Sequence, residues 1–279
     1  MSAMWWQVHV ECRADDTDLV AAAIIAATGQ GVEEPEAGVL TTVLPSELDA
    51  KRLVGDLAAR FLELEASVTR LEPVDWTVRW RDGIATRRFG RLVVTPSWLP
   101  VVDGPDAVVV TLDPESAFGS GEHGSTRAAL TLLERHLRSG QRVLDFGSGS
   151  GILAIVAARL GAALAVGIEV DDEANPIAEA NAQRNGVADR VTFLHGDAGA
   201  LHPLVSPVEV VCSNILRTVN TMLLPAIREA LCANGLAIFS GMEAAEESLF
   251  LPVLQREQWQ VIDAARDAGW WAVAARRPA

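Results

Sequence analysis

The chain opens on alternation. In "WWQVHVEC" apolar and polar positions exchange every residue, which predicts a half-buried strand. "DDTDLVAAAIIAATGQG" follows with acidic capping residues at its start and Gly29 at its close, the punctuation of a helix. "GVLTTVL" reads as strand again. "PSELDAKRLVGDLAARFLEL" reads as a second helix, with Ser46 as N-cap and Val54, Leu57, Ala58 and Phe61 as its apolar stripe. "EASVTRLE" supplies a further short strand, and the whole predicts a small α+β unit of βαββαβ type, the ferredoxin-like arrangement, over residues 1–71.

Periodicity lapses over residues 72–90, "EPVDWTVRWRDGIATRRFG", which reads as an arginine-rich linker. Trp76 and Trp80 there either pin the linker to a domain surface or touch a substrate. "RLVVTPSW" and "DAVVVTLD" are strand-like. From residue 130 helix and strand alternate, which predicts a parallel sheet covered on both faces over residues 91–279. The fold class is therefore α/β: a Rossmann-like domain preceded by a small ferredoxin-like one.

The 279 residues are 49% hydrophobic, enough to bury a core in each part. No apolar run reaches the ~18 residues that span a bilayer, and the first residues lack the pattern of a secretory signal, so a cytoplasmic protein with no membrane contact is expected. Cys12, Cys212 and Cys232 are far apart and lack metal-ligand spacing, which argues against a disulfide framework and against a metal site. A net charge of −14 disfavours direct nucleic-acid binding, which needs a basic face, and suits a basic partner.

The chemistry gathers in "VLDFGSGSGILAIVAARLGA". Asp145, Gly147, Gly149 and Gly151 form D-x-G-x-G-x-G after an apolar strand. Glycines let the backbone turn sharply and approach a ligand, and the next helix presents free amides. A nicotinamide dinucleotide fingerprint would read G-x-G-x-x-G. The carboxylate of Asp145 would repel a pyrophosphate and suit a cationic ligand such as S-adenosylmethionine. Glu169 ends the next strand, where an acid accepts from ribose hydroxyls in either cofactor class. Asp197 ends a third strand, placed to face an adenine amino group or to cap a helix. Asn214 ends a fourth, offering an amide with both donor and acceptor at the sheet edge.

These residues, together with "NAQRNGV", "SNIL" and "LDPESAFGSGEHGSTRAALTLLE", resemble the PrmA family, the methyltransferases that modify ribosomal large-subunit protein eleven. "AFGSGEHGSTRAAL" resembles that family's A-F-G-T-G-x-H-x-T-T loop, and "GVEE" and the tryptophan-bearing linker resemble its small domain and connector. The resemblance implies a class I methyltransferase that moves methyl groups from S-adenosylmethionine to lysine or N-terminal amines of a basic ribosomal protein. A protein lysine outside the ribosome, or a small amine, is the alternative substrate. The resemblance also puts Thr126, Gly147, Glu169 and Asn214 on the cofactor. It assigns Phe118, Gly119 and Gly121 to a glycine-rich, mobile loop over the methionine end, and His123 to that loop as a structural residue or a proton acceptor. Asn214 and His123 are the candidate catalytic residues; Asp145, Gly149 and Asp197 complete the cofactor set. The chain departs from the family at Gly124 and Ser125, where Pro-Thr is usual, at Glu169, where Asp is usual, and at Arg217, where "NILA" is usual.

Overall fold

The computed structural model describes residues 5–36, 38–61, 63–71, 83–100, 104–113 and 117–277. The chain divides into two compact units, Met1–Arg79 and Trp80–Ala279. Most of the expected linker, with Trp76 and Trp80, lies outside the described residues.

In the small unit β1 (Trp5–Glu11), β2 (Glu33–Glu36), β3 (Val39–Leu44) and β4 (Glu65–Leu71) form one sheet in the order β2-β3-β1-β4, every neighbour antiparallel. Helices α1 (Thr17–Thr28) and α2 (Glu47–Arg60) connect them in ferredoxin-like order. Gly29 ends α1 in the left-handed region at φ 69°, and Ser46 caps α2 by accepting from the Asp49 amide. Val8, Val10, Ile24, Leu40, Leu53 and Leu57 fill the core. Two expectations shift. The buried stripe of α2 is Ala50, Leu53 and Leu57, while Ala58 faces solvent. Strand β2, "EEPE", has all four residues exposed, so only pairing with β3 makes it a strand.

In the large unit β5 (Arg87–Phe89), β6 (Leu92–Thr95) and β7 (Val108–Thr111) form a three-stranded sheet. The end of the expected linker is thus ordered: Arg87–Phe89 pairs antiparallel with β6. A second sheet contains β8 (Arg142–Phe146), β9 (Leu164–Glu169), β10 (Val191–His195), β11 (Val208–Asn214), β12 (Leu231–Glu243), β13 (Gln260–Asp267) and β14 (Trp270–Arg276). Its order is β10-β9-β8-β11-β12-β14-β13, with β8 to β12 parallel and β14 antiparallel to both neighbours. Leucines and alanines of α3 (Gly124–His136) and α4 (Ile152–Arg159) cover one face; α7 (Arg217–Ala230) and α8 (Glu247–Arg256) cover the other. Between β9 and β11 in chain order lie α5 (Ala174–Arg184) and α6 (Ala198–Leu201).

Strand order runs one way from β8 to β10 and the other way from β8 to β12. The crevice at that reversal, beyond the carboxyl ends of β8 and β11, is where such sheets bind ligands.

Candidate functional site

The turn after β8 takes left-handed backbone at Gly147 (φ 74°), Gly149 (φ 50°) and Gly151 (φ 81°), a region side chains oppose. Close packing adds a second reason. A Cβ on Gly147 would lie 2.8 Å from the Ile215 side chain, and one on Gly149 would lie 2.5 Å from the Phe118 carbonyl oxygen. The turn is therefore wedged between the segment after β11 and the loop before α3. At its far side the Gly149 amide donates to Glu169 Oε2 over 2.8 Å, while Glu169 Oε1 accepts from the Val170 and Asp171 amides. Glu169 is so fixed at the tip of β9.

Asp145 is 1% exposed and neither carboxylate oxygen has a hydrogen bond of normal geometry. Burial pushes its carboxyl well above the usual range, and the charge of Glu169 pushes the same way, while the nearby Ala154 amide tempers the effect. Asn214 spends one amide hydrogen on Thr126 Oγ1 at 3.1 Å and leaves a buried Oδ1 without a partner. Asp197 Oδ1 accepts from the Ala200 amide, so the residue caps α6, the second of its two expected roles.

The loop before α3 is tied down. Ser150 donates from its amide to the Phe118 oxygen at 2.9 Å and from its hydroxyl to the Gly119 oxygen at 2.7 Å. Glu122 accepts from the Ala85 amide and pairs with Arg87; Arg127 donates to the Glu122 carbonyl and pairs with Asp267. The loop glycines are needed for local geometry. Gly119 and Gly121 sit at φ 99° and 82°, and a Cβ on Gly124 would lie 2.6 Å from both the Trp270 ring and the Asp267 oxygen. Trp270 thus occupies the space that the family's proline would need. Phe118, expected as an apolar cover, is 57% exposed.

His123 stands between Phe118 and Trp270, with ring centroids 5.3 and 4.1 Å away, and its Nδ1 lies 2.7 Å from Ser125 Oγ. Burial and the charge of Arg127 both lower its pKa.

The crevice therefore presents buried, unpartnered acceptors at Asp145 and Asn214, a glycine cradle, and a carboxylate at the β9 tip. An unpartnered buried acceptor is costly and is satisfied by a donor-bearing ligand. S-adenosylmethionine carries an ammonium and two ribose hydroxyls, so the residues present fit it. The model of the ribosomal protein L11 methyltransferase (PrmA) family matches residues 30–278. The chain belongs to that family. A PrmA of Syntrophotalea carbinolica is 32% identical over 282 residues, covering 90% of this chain and 91% of the relative. One from Enterobacter sp. is 41% identical over 204 residues, covering 69% of this chain and 68% of the relative. The crystal structure of a ribosomal protein L11 methylase from Lactobacillus delbrueckii subsp. bulgaricus superposes with a TM-score of 0.61 at 28% identity, over 70% of this chain and 98% of that one. The chain is thus a protein methyltransferase that uses S-adenosylmethionine, and the nicotinamide alternative falls away.

Against the motifs of PrmA, several site-building residues carried no expectation. Ser150 pins the loop, and Trp270 and Asp267 reach it from the β13–β14 turn. Asn181, within "NAQRNGV", donates to the Asp113 and Ser150 oxygens and ties α5 to the glycine turn. Asn220 did carry a signal. It lies four and seven residues before Leu224 and Ile227, on the buried stripe of α7, where an apolar residue is expected. Among the described residues no helix is long and apolar enough to cross a membrane, and no cluster of metal-ligating side chains occurs.

Proposed function

We propose that this protein transfers methyl groups from S-adenosylmethionine to amino groups of ribosomal protein L11, in the cytoplasm. The observation that carries the reading is the "AFGSGEHGST" loop seated through Ser150 on the glycine turn at the sheet's reversal point, with Thr126 bonded to Asn214. S-adenosylmethionine, when bound, supplies the methyl group on its sulfonium. Glu169 would hold the ribose hydroxyls, Asp145 the ammonium, and Gly147 and Gly149 would let the ligand approach the backbone. Asn214 and Thr126 would face the reacting end beside Phe118 and Gly119. Asp197 retains one carboxylate oxygen for the adenine.

An attacking lysine must first lose its proton, against a reference pKa of about 10.4. Phe118, His123 and Trp270 form an aromatic cluster at the loop before α3, and closed over a bound amine they would exclude water and favour its neutral form. His123 is placed in that wall, with Nδ1 against Ser125 Oγ. Nothing beyond positioning is asked of the side chains, and positioning alone supplies large accelerations. The net charge of −14 attracts a basic ribosomal protein over distance. The small unit is assigned to substrate recognition and Trp80–Ala279 to catalysis.

The test is calorimetry with a fragment beside it. The full chain should bind S-adenosylhomocysteine and not NADH. A fragment of residues 80–279 should bind it equally well and fail to methylate L11. Full activity in the fragment would overturn the division of labour, and saturable NADH binding alone would overturn the cofactor assignment.

A further inference from the structure

Asn220 is 0% exposed in the first turn of α7, although asparagine is a poor helix former and an aliphatic side chain would complete the stripe. Burying an amide is tolerable only if its groups are matched. Here they are. Nδ2 donates to the Ile215 and Ser240 oxygens, each at 2.9 Å, and Oδ1 accepts from Ser213 Oγ at 2.7 Å. Two of these partners, Ser213 and Ile215, flank Asn214 on either side. The third begins a chain to the opposite wall: Ser240 Oγ donates to the Ser125 oxygen at 2.8 Å, next to Thr126, and Thr126 accepts from Asn214. Ile215 is also clasped from behind, since a Cβ on Gly241 would lie 2.2 Å from its oxygen.

We infer that Asn220 is a positioning residue for methyl transfer: by holding the Ile215 carbonyl on one side of Asn214 and the Ser213 hydroxyl on the other, it aims the Asn214 amide. The inference rests on the reading of Asn214 as the amide that faces the reacting groups. Asn220 touches neither cofactor nor substrate in this account and acts through Asn214 alone. A side chain that merely filled the core would be replaceable by leucine at a cost in stability only.

The experiment compares Asn220→Asp, Asn220→Leu and Asn214→Ala with the wild type, all as full chains. Asn220→Asp keeps the acceptor for Ser213 and faces two carbonyls without a donor; Asn220→Leu keeps volume and loses every bond. Turnover is expressed per site that binds S-adenosylhomocysteine in a stoichiometric titration, so a partly unfolded preparation still yields a value. Both Asn220 variants should lose about ten- to a hundredfold in kcat, the cost of a small misplacement. S-adenosylhomocysteine affinity and the KM for L11 should stay within about threefold. In the wild type the Asn214 side-chain NH2 signals in a nitrogen–proton spectrum should be unequal and sharp, and they should move in both variants. Wild-type kcat per site in Asn220→Leu, with Asn214→Ala inactive, would overturn the positioning role. Wild-type kcat in Asn214→Ala would overturn the reading of Asn214 itself. Should neither Asn220 variant be recovered, Ser213→Ala removes one of the three bonds and is expected to lower kcat in the same manner; unchanged kcat there would count against the inference.

Discussion

The side-chain amide of Asn214 donates to the hydroxyl of Thr126 over 3.1 Å, across 88 residues of sequence. One residue closes a strand and the other opens the helix after the glycine-rich loop, so this bond joins the two walls of the crevice. Thr126 is fully buried. Replacing it with valine keeps the shape and leaves the Asn214 hydrogen without its partner, a loss of about 1–3 kcal/mol. Thr126→Val should lower kcat/KM for L11 about tenfold or more, read by steady-state kinetics, while Thr126→Ser should restore most of it.

Glu169 both orders its own strand tip and accepts from the Gly149 amide. A charge-assisted hydrogen bond is worth roughly 1.5–3 kcal/mol, so Glu169→Ala should weaken S-adenosylhomocysteine binding at least about tenfold in calorimetry. Glu169→Asp, the family's usual residue, should fall between the two. Equal affinity in wild type and Glu169→Ala would remove Glu169 from the ribose.

Gly124 is held glycine by its neighbours: a Cβ there meets the Asp267 backbone, which cannot step aside as a flexible side chain can. Overpacking of this kind costs about 1–3 kcal/mol. Gly124→Ala should lower the melting temperature by several degrees, at about 2–4 °C per kcal/mol for a domain of this size. Gly55, on the exposed side of α2 with nothing near its missing Cβ, should respond in the opposite sense. There Gly→Ala in a helix stabilises by about 0.5–1 kcal/mol.

The hydrogen bond from Arg127 holds the Asp267 carboxyl below its usual range, outweighing the opposing effect of burial. A depressed carboxyl pKa stabilises the fold above the unfolded value of about 3.9 and loses that stabilisation as pH falls through the folded value. Denaturant melts of Asp267→Asn should therefore show it less stable than wild type near neutral pH and equal to it in acid. Because Asp267 is 37% exposed, salt should shrink the neutral difference. A gap that persists unchanged into acid would mean the loss lies in packing and not in charge.

Much of this was legible because it was local. The alternation in "WWQVHVEC", the Gly29 stop and the Ser46 cap are each decided by a few neighbours, and each is found in place. The polar residues after successive strands could be located because the sheet's edge collects strand ends. What stayed hidden depends on partners far along the chain. Strand β2 is four exposed residues that no hydrophobic pattern announces, and Arg87–Phe89 becomes a strand only beside β6. Ala58 lay on a plausible stripe whose true centre is Leu53 and Leu57, a rotation set by the sheet beneath. The Ser150, Asp267 and Trp270 partners of the loop glycines could not be placed from sequence. Asn220 was not singled out at all, because its role depends on three oxygens brought around it by the fold.

Transfer of methyl groups to ribosomal protein L11 is read by intact-mass spectrometry. Purified L11 is incubated with the full chain and S-adenosylmethionine at low and moderate salt, beside a small amine. L11 should gain mass in whole methyl units, on lysine or the N-terminal amine by fragmentation, more slowly at higher salt as attraction is screened over about 8 Å. An unmodified L11 alongside a methylated small amine would rule out L11 as the substrate.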